Sequence, residues 1–184
     1  MPLCDLCENI IPTSFLGYKG KNSDITKILV LGHFADYRVI DDNWLEPFTN
    51  SLTGKYFIKY FLGVSGLSME DIFFVNSYRC LKKSVDDAPT QKELKRCLQL
   101  HLFDIVNSFN PKVLITWGRP VLDSLSSVLN LNIEGESLKL DKGMVIIYRD
   151  SFIYATYHPS YWGRYSEQRV LLGKHFANFY NALA

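Results

Sequence analysis

Two polar residues, Asn76 and His158, lie just after the ends of two predicted buried strands, where the chain enters a loop. Asn76 follows the apolar run Ile72–Val75, whose β-branched and aromatic residues are typical of a strand inside a parallel sheet. His158 stands in the loop after a second such run, Phe152–Thr156. Ligands of open α/β sheets bind outside the carboxyl ends of the strands. Because a side-chain amide offers both a donor and an acceptor, Asn76 is the predicted reader of the edge of a heterocycle.

The four cysteines are the second group whose spacing indicates chemistry. Cys4 and Cys7 form a C-x-x-C pair, and Cys80 and Cys97 are separated by sixteen residues further along the chain. Four thiolates are the usual ligands of a structural zinc ion or an iron–sulfur cluster. A zinc ribbon has two C-x-x-C pairs, so the split second pair favours a larger cluster that joins the N-terminal segment to the core. The alternative is that Cys97 is an ordinary core residue and Cys80 has no role.

The elements that must position these residues alternate between strand and helix. Strands are predicted at Lys27–Leu31, Ile72–Val75, Lys112–Trp117, Met144–Tyr148 and Phe152–Thr156. Helices are predicted at Thr49–Leu62, from Thr90 to Asn110 with Glu93 completing a capping box, after Gly118, and at Arg164–Leu183. The alternation predicts the α/β class, with a central, mainly parallel sheet of four to five strands between helices.

Composition and charge limit the possible functions. The 184 residues predict a single domain over 1–184, in which the segment 1–24 carries the C-x-x-C pair. A net charge of +1 means that a polyanion would have to be bound by a local patch. No apolar run approaches the roughly 18 residues of a membrane span, and no secretory signal is recognisable. We therefore expect a cytoplasmic protein, in which cysteines are more often ligands or free thiols than disulfides.

Five stretches together resemble the iron–sulfur (family 4) uracil-DNA glycosylases. The first is the cysteine pattern itself, with N-x3-C after a strand. The strand that ends at Gly32 resembles the one that precedes the family's G-E-[AG]-P-G loop, and Pro47-Phe48 with Gly54-Lys55 resembles P-F-V-G-x-[AS]-G. Asn110–Ile115 with Gly118-Arg119 resembles K-P-K-V-I-x-x-x-G-R, and Thr156–Ser160 resembles T-Y-H-P-[SA]. The resemblance covers nearly the whole chain.

The resemblance implies roles for the matching residues in base excision from DNA. Phe48 would stack on a uracil flipped out of the duplex, and Asn76 would accept from its N3–H and donate to its O4. His158 would stabilise the uracil anion at O2. The loop after it would contact DNA, with Tyr161 and Trp162 as wedges, Arg164 on a phosphate and Ser160 beside them. Cys4, Cys7, Cys80 and Cys97 would hold a [4Fe–4S] cluster, with zinc as the alternative, in a protein that we expect to be monomeric.

One stretch departs from the family. Where the family has G-E-[AG]-P-G, this chain has Gly32-His33-Phe34-Ala35-Asp36. Counting back from Phe48 places Asp41 on a family acidic residue, so Asp41, Asp36 and His33 are all candidates for the catalytic group that orients water. Phe34 and Asp36 also replace small residues of the expected pocket wall. The prediction is a glycosylase for uracil or a related base, against a catalytically weakened nucleic-acid-binding protein or a glycosylase respecialised for another base.

Overall fold

The computed structural model describes residues 10–11, 17–34, 45–82, 88–133, 143–162 and 166–183. The strands are Ile10–Ile11 (β1), Gly17–Lys19 (β2), Ile28–Phe34 (β3), Ile72–Tyr78 (β4), Leu81–Lys82 (β5), Val113–Trp117 (β6), Met144–Tyr148 (β7) and Ser151–Thr156 (β8). The α-helices are Ser23–Thr26 (α1), Leu45–Asn50 (α2), Leu52–Tyr56 (α3), Gln91–Phe109 (α4), Arg119–Leu129 (α5), Pro159–Trp162 (α6) and Ser166–Asn181 (α7). A π-helical segment, Phe57–Leu62, continues α3, and two 3-10 turns follow at Gly63–Ser65 and Met69–Asp71.

The central sheet has six strands in the order β2-β4-β3-β6-β8-β7. The four inner strands are parallel to one another, and both outer strands pair antiparallel with their neighbours. The predicted α/β class and mainly parallel sheet are confirmed, and β7 pairs with β8 as an antiparallel neighbour. The sequence missed β2, because three residues are too short to show a period.

Helices cover both faces of the sheet, so the architecture has three layers. On one face, α4 and α5 pack against β3 and β4 through residues such as Leu98, Leu125 and Leu31. On the other face, the π-helical segment and α7 bury Phe61 and Phe176 against the sheet. Strands that are buried on both faces are continuous apolar runs, which is why the inner strands were visible in the sequence.

The two central strands extend further than the sequence predicted. We expected strands to end at Leu31 and Val75, but β3 and β4 continue to pair, with Gly32 opposite Asn76 and Phe34 opposite Tyr78. Polar residues and a glycine ended the apolar pattern before the hydrogen-bonded ladder ended. As a result, Gly32, His33, Phe34 and Asn76 lie on rigid strands and not in loops.

Several helix boundaries also differ from prediction. The helix expected at Thr49–Leu62 begins at Leu45 and is interrupted at Ser51, whose hydroxyl accepts from the Gly54 N–H and caps α3. The Thr90 capping box with Glu93 is confirmed, and α4 ends at Phe109 as expected. The loop predicted after β8 contains the helical turn α6. Among the described residues, no helix combines the length and apolarity needed to cross a membrane.

Candidate active site at the carboxyl edge of the sheet

Four neighbouring parallel strands end at one edge and bring the predicted site residues to it. Along this edge stand Asn76 on β4, Gly32 on β3 and Trp117 on β6, and His158 follows β8 two residues after the strand ends. These positions are far apart in sequence, and the register of the parallel strands sets them side by side. The carboxyl edge is therefore the candidate active site.

Asn76 presents an amide that no described residue uses. The residue is 7% exposed, and its side chain makes no hydrogen bond within the described part of the chain. A Cβ on Gly32 would lie 2.6 Å from Asn76 Oδ1 and 2.7 Å from the Phe74 ring, so only glycine leaves room for this amide. Burying an amide without a partner is costly. The cost is recovered if a ligand supplies the missing donor and acceptor.

Phe48 provides a half-buried aromatic ring beside this amide. Its ring lies 5.2 Å from that of Phe74 and stacks at 5.9 Å and 21° on Trp117. Ser51 holds the preceding turn in place, because its hydroxyl donates to the Phe48 carbonyl at 2.6 Å and accepts from Gly54 at 3.0 Å. The ring is thus fixed against the core while part of it remains exposed.

His158 is held in one tautomer by the residue two positions later. The Ser160 backbone N–H donates to Nδ1 at 3.3 Å, and the Ser160 hydroxyl lies 2.8 Å from the same nitrogen. With Nδ1 accepting, the proton of the neutral ring is on Nε2, which has no partner among the described residues. Burial, helped by nearby His33, lowers the pKa of His158 to about 4. At neutral pH the ring is therefore an uncharged N–H donor.

The wall behind His158 is formed by the end of β6. Trp117 meets the His158 ring edge-on at 5.7 Å. Gly118 has a φ of +84°, which favours glycine, and its N–H donates to the Thr156 carbonyl at 2.7 Å. Sequence reasoning did not single out Trp117 as a site residue, although its position directly before Gly118, at the end of a strand, was a usable signal.

The two altered residues of β3 lie in different surroundings. His33 is half-buried, its Nε2 has no partner among the described residues, and burial lowers its pKa. The pKa of His33 is therefore below the ordinary histidine value of 6.5. Phe34 packs against the buried cluster of Tyr78, Cys80, Leu94 and Cys97. Phe34 therefore lies beside Cys80 and Cys97 and not in the pocket wall where it was expected.

The residues after His158 divide into buried and exposed ones. Trp162 is 5% exposed, and its indole N–H donates to the Tyr157 carbonyl at 3.1 Å. Tyr161 is 52% exposed and stacks on Tyr157 at 6.2 Å. Ser160 is occupied with His158. Of the two predicted wedges, Tyr161 is the exposed one, and the burial of Trp162 does not fit that role.

Cys80 and Cys97 come together, as expected for two ligands of one group. Both are buried in the same cluster, and the Arg79 backbone N–H donates to the Cys97 sulfur at 3.4 Å. The residues that the structure describes hold no group of three or more metal-ligating side chains. Five predicted site residues lie outside the described residues: Cys4, Cys7, Asp36, Asp41 and Arg164.

A comparison with protein-family models identifies the family of the chain. No curated relative matches the chain. The family model described as the uracil DNA glycosylase superfamily matches residues 26–184. This range contains the whole carboxyl edge, with Gly32, Phe48, Asn76 and His158. The chain therefore belongs to the uracil-DNA glycosylase superfamily.

Proposed function

We propose that this protein is a DNA glycosylase that hydrolyses the N-glycosidic bond of uracil, or a closely related base, in base excision repair. The observation that carries the proposal is the unpartnered Asn76 amide, which lies at the same edge as the Phe48 ring and a neutral His158. An unpartnered amide beside an aromatic ring offers one donor and one acceptor, which the pairing edge of a flipped base needs.

Each residue has a separate task in this proposal. A base flipped from the DNA stacks on Phe48 and pairs with Asn76, which accepts from N3–H and donates to O4. As the C1′–N1 bond breaks, its electron pair passes to the base, and the His158 Nε2–H donates to the O2 atom that gains charge. A neutral donor suits this step, because it stabilises the anion without first having to be protonated.

The water-activating group is proposed from the resemblance. Asp41 stands in register with a family acidic residue, so Asp41→Asn should lower turnover with little change in DNA affinity, because a carboxylate acts on the oxocarbenium-like transition state. If Asp36 has this role, Asp36→Asn shows the larger loss. His33 is the third candidate. Its lowered pKa makes it a neutral base and not a cation at pH 7.

A [4Fe–4S] cluster bound by Cys4, Cys7, Cys80 and Cys97 is proposed as the structural cofactor. Two observations support the fit. Cys80 and Cys97 share one buried cluster. In addition, β1 pairs with β5, with Ile11 opposite Leu81, so the fourth residue after Cys7 is paired with the residue directly after Cys80. Four residues of chain span at most about 14 Å, a length that is compatible with the proposed ligand set. When bound, the cluster would join the N-terminal segment to the core.

The cofactor proposal has a direct test. Protein purified without oxygen should be brown and contain about four iron atoms per chain, whereas a zinc protein would be colourless. Cys97→Ala should lower solubility and folding yield before it lowers the base-release rate of the folded fraction. Iron-free anoxic protein that is folded and active would contradict the cluster.

The DNA is proposed to approach over the exposed aromatic pair Tyr157 and Tyr161 beside the pocket. Tyr161 would fill the space left by the flipped base, and Arg164 would contact a phosphate. We propose that the protein acts as a monomer.

The activity can be tested with labelled oligonucleotides that carry uracil, hydroxymethyluracil, hypoxanthine or xanthine, followed by alkaline cleavage of abasic sites. We expect cleavage at uracil or a 5-substituted uracil, in single- or double-stranded DNA. His158→Ala and Asn76→Ala serve as matched controls for contaminating enzymes. No cleavage with any of the four bases, together with DNA binding, would favour the catalytically weakened alternative.

One observation favours respecialisation for another base as the second candidate. The family glutamate is replaced by His33, a half-buried residue whose side chain cannot provide a negative charge near the sugar. Efficient release of a different base with weak release of uracil would identify such an enzyme.

A further inference from the structure

Arg79 is a charged residue inside the protein. It is 8% exposed, and among the residues that the structure describes no other Asp, Glu, Lys or Arg is buried. Charged side chains are almost never buried unless a group of opposite charge compensates them, because removing a charge from water is costly. The surroundings of Arg79 should therefore indicate which negative group it accompanies.

The surroundings of Arg79 contain two cysteines. Arg79 lies between the end of β4 and Cys80, and its backbone N–H donates to the Cys97 sulfur at 3.4 Å. Both cysteines are buried in the same cluster. Burial lowers the pKa of the Arg79 guanidinium, and the nearby Cys97 and Cys80 sulfurs oppose this shift. The backbone of Arg79 thus bonds to one sulfur, and its side-chain charge acts on both.

Neutral thiols cannot compensate a buried cation, whereas metal-bound thiolates can. A zinc ion or a [4Fe–4S]²⁺ core carries two positive charges against the four negative charges of its cysteine ligands, so either site is a net anion. Burying an anion is costly by itself. A guanidinium beside it lowers the cost for both groups, because opposite charges attract most strongly where water is excluded.

We propose that Arg79 is the internal counter-ion of a metal–thiolate centre, and that its charge determines how firmly the metal is held. This inference rests on the proposed cofactor and not on the identity of the excised base. Arginine suits the position, because its guanidinium is more weakly hydrated than an ammonium group and loses less on burial. In an iron–sulfur protein the same charge should ease reduction, since the added electron makes the centre more negative.

Arg79→Gln tests the inference in protein purified without oxygen. We expect the variant to release iron or zinc to a chelator about tenfold faster than the wild type. If the metal is iron, the ratio of reduced to oxidised cluster at a fixed potential should fall about tenfold, which corresponds to about 59 mV for one electron. A folded Arg79→Gln with the wild-type rate of metal release would overturn the inference.

Two further variants separate a buried charge from packing and from a general loss of charge. Lys95→Gln removes an exposed positive charge from α4, two residues before Cys97, and should change the release rate by less than about twofold because solvent screens this charge. An effect as large as that of Arg79→Gln would overturn the inference.

Arg79→Lys keeps the charge and should hold the metal nearly as well as the wild type, with release at most about threefold faster. Release about tenfold faster from folded Arg79→Lys would contradict a role for the charge. This comparison decides the question even if Arg79→Gln does not fold.

Wild-type protein distinguishes failure of this inference from failure of the proposals above. Folded, anoxically purified wild type without iron or zinc would remove the proposed cofactor, and the inference with it. Wild type that holds metal but releases no base would contradict the glycosylase function and leave the counter-ion role of Arg79 standing.

Discussion

The two edges of the sheet differ in whether their polar side chains have hydrogen-bond partners. At the amino edge, before β3 and β4 begin, Tyr18 donates to Glu70 at 2.8 Å, and the Asp71 carboxylate accepts from Asn22 at 3.1 Å and from the Ser68 hydroxyl at 2.7 Å. At the carboxyl edge, the Asn76 amide and the Trp117 N–H have no partner among the described residues. These polar groups of the amino edge bond to one another, whereas the Asn76 amide at the carboxyl edge has no described partner.

This difference separates stability from function. The amino-edge groups are exposed or partly buried, and their hydrogen bonds contribute modestly to folding because protein partners replace water. An unsatisfied buried group costs stability in the free protein and is expected where a ligand completes it. Substitutions at the two edges should therefore change different measured quantities.

The largest effect is expected from His158→Ala. Loss of the neutral donor should reduce the single-turnover rate of uracil release on the order of 10²–10³-fold. The melting temperature should fall only modestly, because the variant loses the hydrogen bonds between Nδ1 and Ser160 but no bond of Nε2. A variant with wild-type uracil release would show that the pocket has been assigned wrongly.

Asn76→Ala should also reduce base release strongly, but by a different route. The variant loses recognition of the pairing edge, so discrimination between uracil and cytosine should fall together with the rate. Competition assays with both bases in one oligonucleotide series measure this. An unchanged ratio of rates would mean that Asn76 does not read the base.

His33→Glu tests whether the carboxyl edge is weakened relative to its family. His33 Nε2 has no partner among the described residues, so the substitution breaks no observed hydrogen bond. If the chain is a weakened uracil enzyme, a restored carboxylate should raise uracil release about tenfold. No rise, together with activity on another base, would identify a respecialised enzyme.

Asp71→Ala is the matched substitution at the amino edge. It removes the acceptor of Ser68 and Asn22 and should lower the free energy of unfolding by about 1–2 kcal/mol. Denaturant titration measures this. Base release by the folded variant should equal that of the wild type, and a large drop in rate would break the separation between the two edges.

The smallest expected effects are two changes of the free energy of unfolding with pH, one caused by His158 and one by Asp71. His158 has a pKa of about 4 in the folded protein against 6.5 ordinarily, so unfolding takes up a proton between these values and stability falls as pH falls from about 6.5 to 4. For Asp71, burial alone would raise the pKa, but the bonds from Ser68 and Asn22 lower it below the ordinary 3.8. Its stabilising contribution is therefore lost only at more acidic pH.

Denaturant titrations at pH 7, 5 and 3 separate the two effects. His158→Gln should reduce the change in the free energy of unfolding between pH 7 and 5. Asp71→Ala should reduce the change in the same quantity below pH 4. If both variants reduce the pH dependence of the free energy of unfolding over the same pH interval, the two edges are not independent.

The sequence by itself determined the fold class and most of the inner strands. Strands buried on both faces must be apolar along their whole length, and capping residues such as Thr90 act on the neighbouring turn, so both signals are local. The sequence also indicated Asn76 and His158, because each stands where an apolar run stops. These inferences needed no knowledge of which strands are neighbours.

Only the tertiary structure decided which of these residues meet and which are left without partners. The strand order brings Trp117 beside His158, extends β3 and β4 past their apolar runs, and turns Phe34 toward the cysteines. It also separates two tryptophans of similar burial by whether a carbonyl lies within reach of the N–H. Hydrogen-bond satisfaction depends on distances of a few ångström between residues far apart in sequence, and no local pattern encodes those distances.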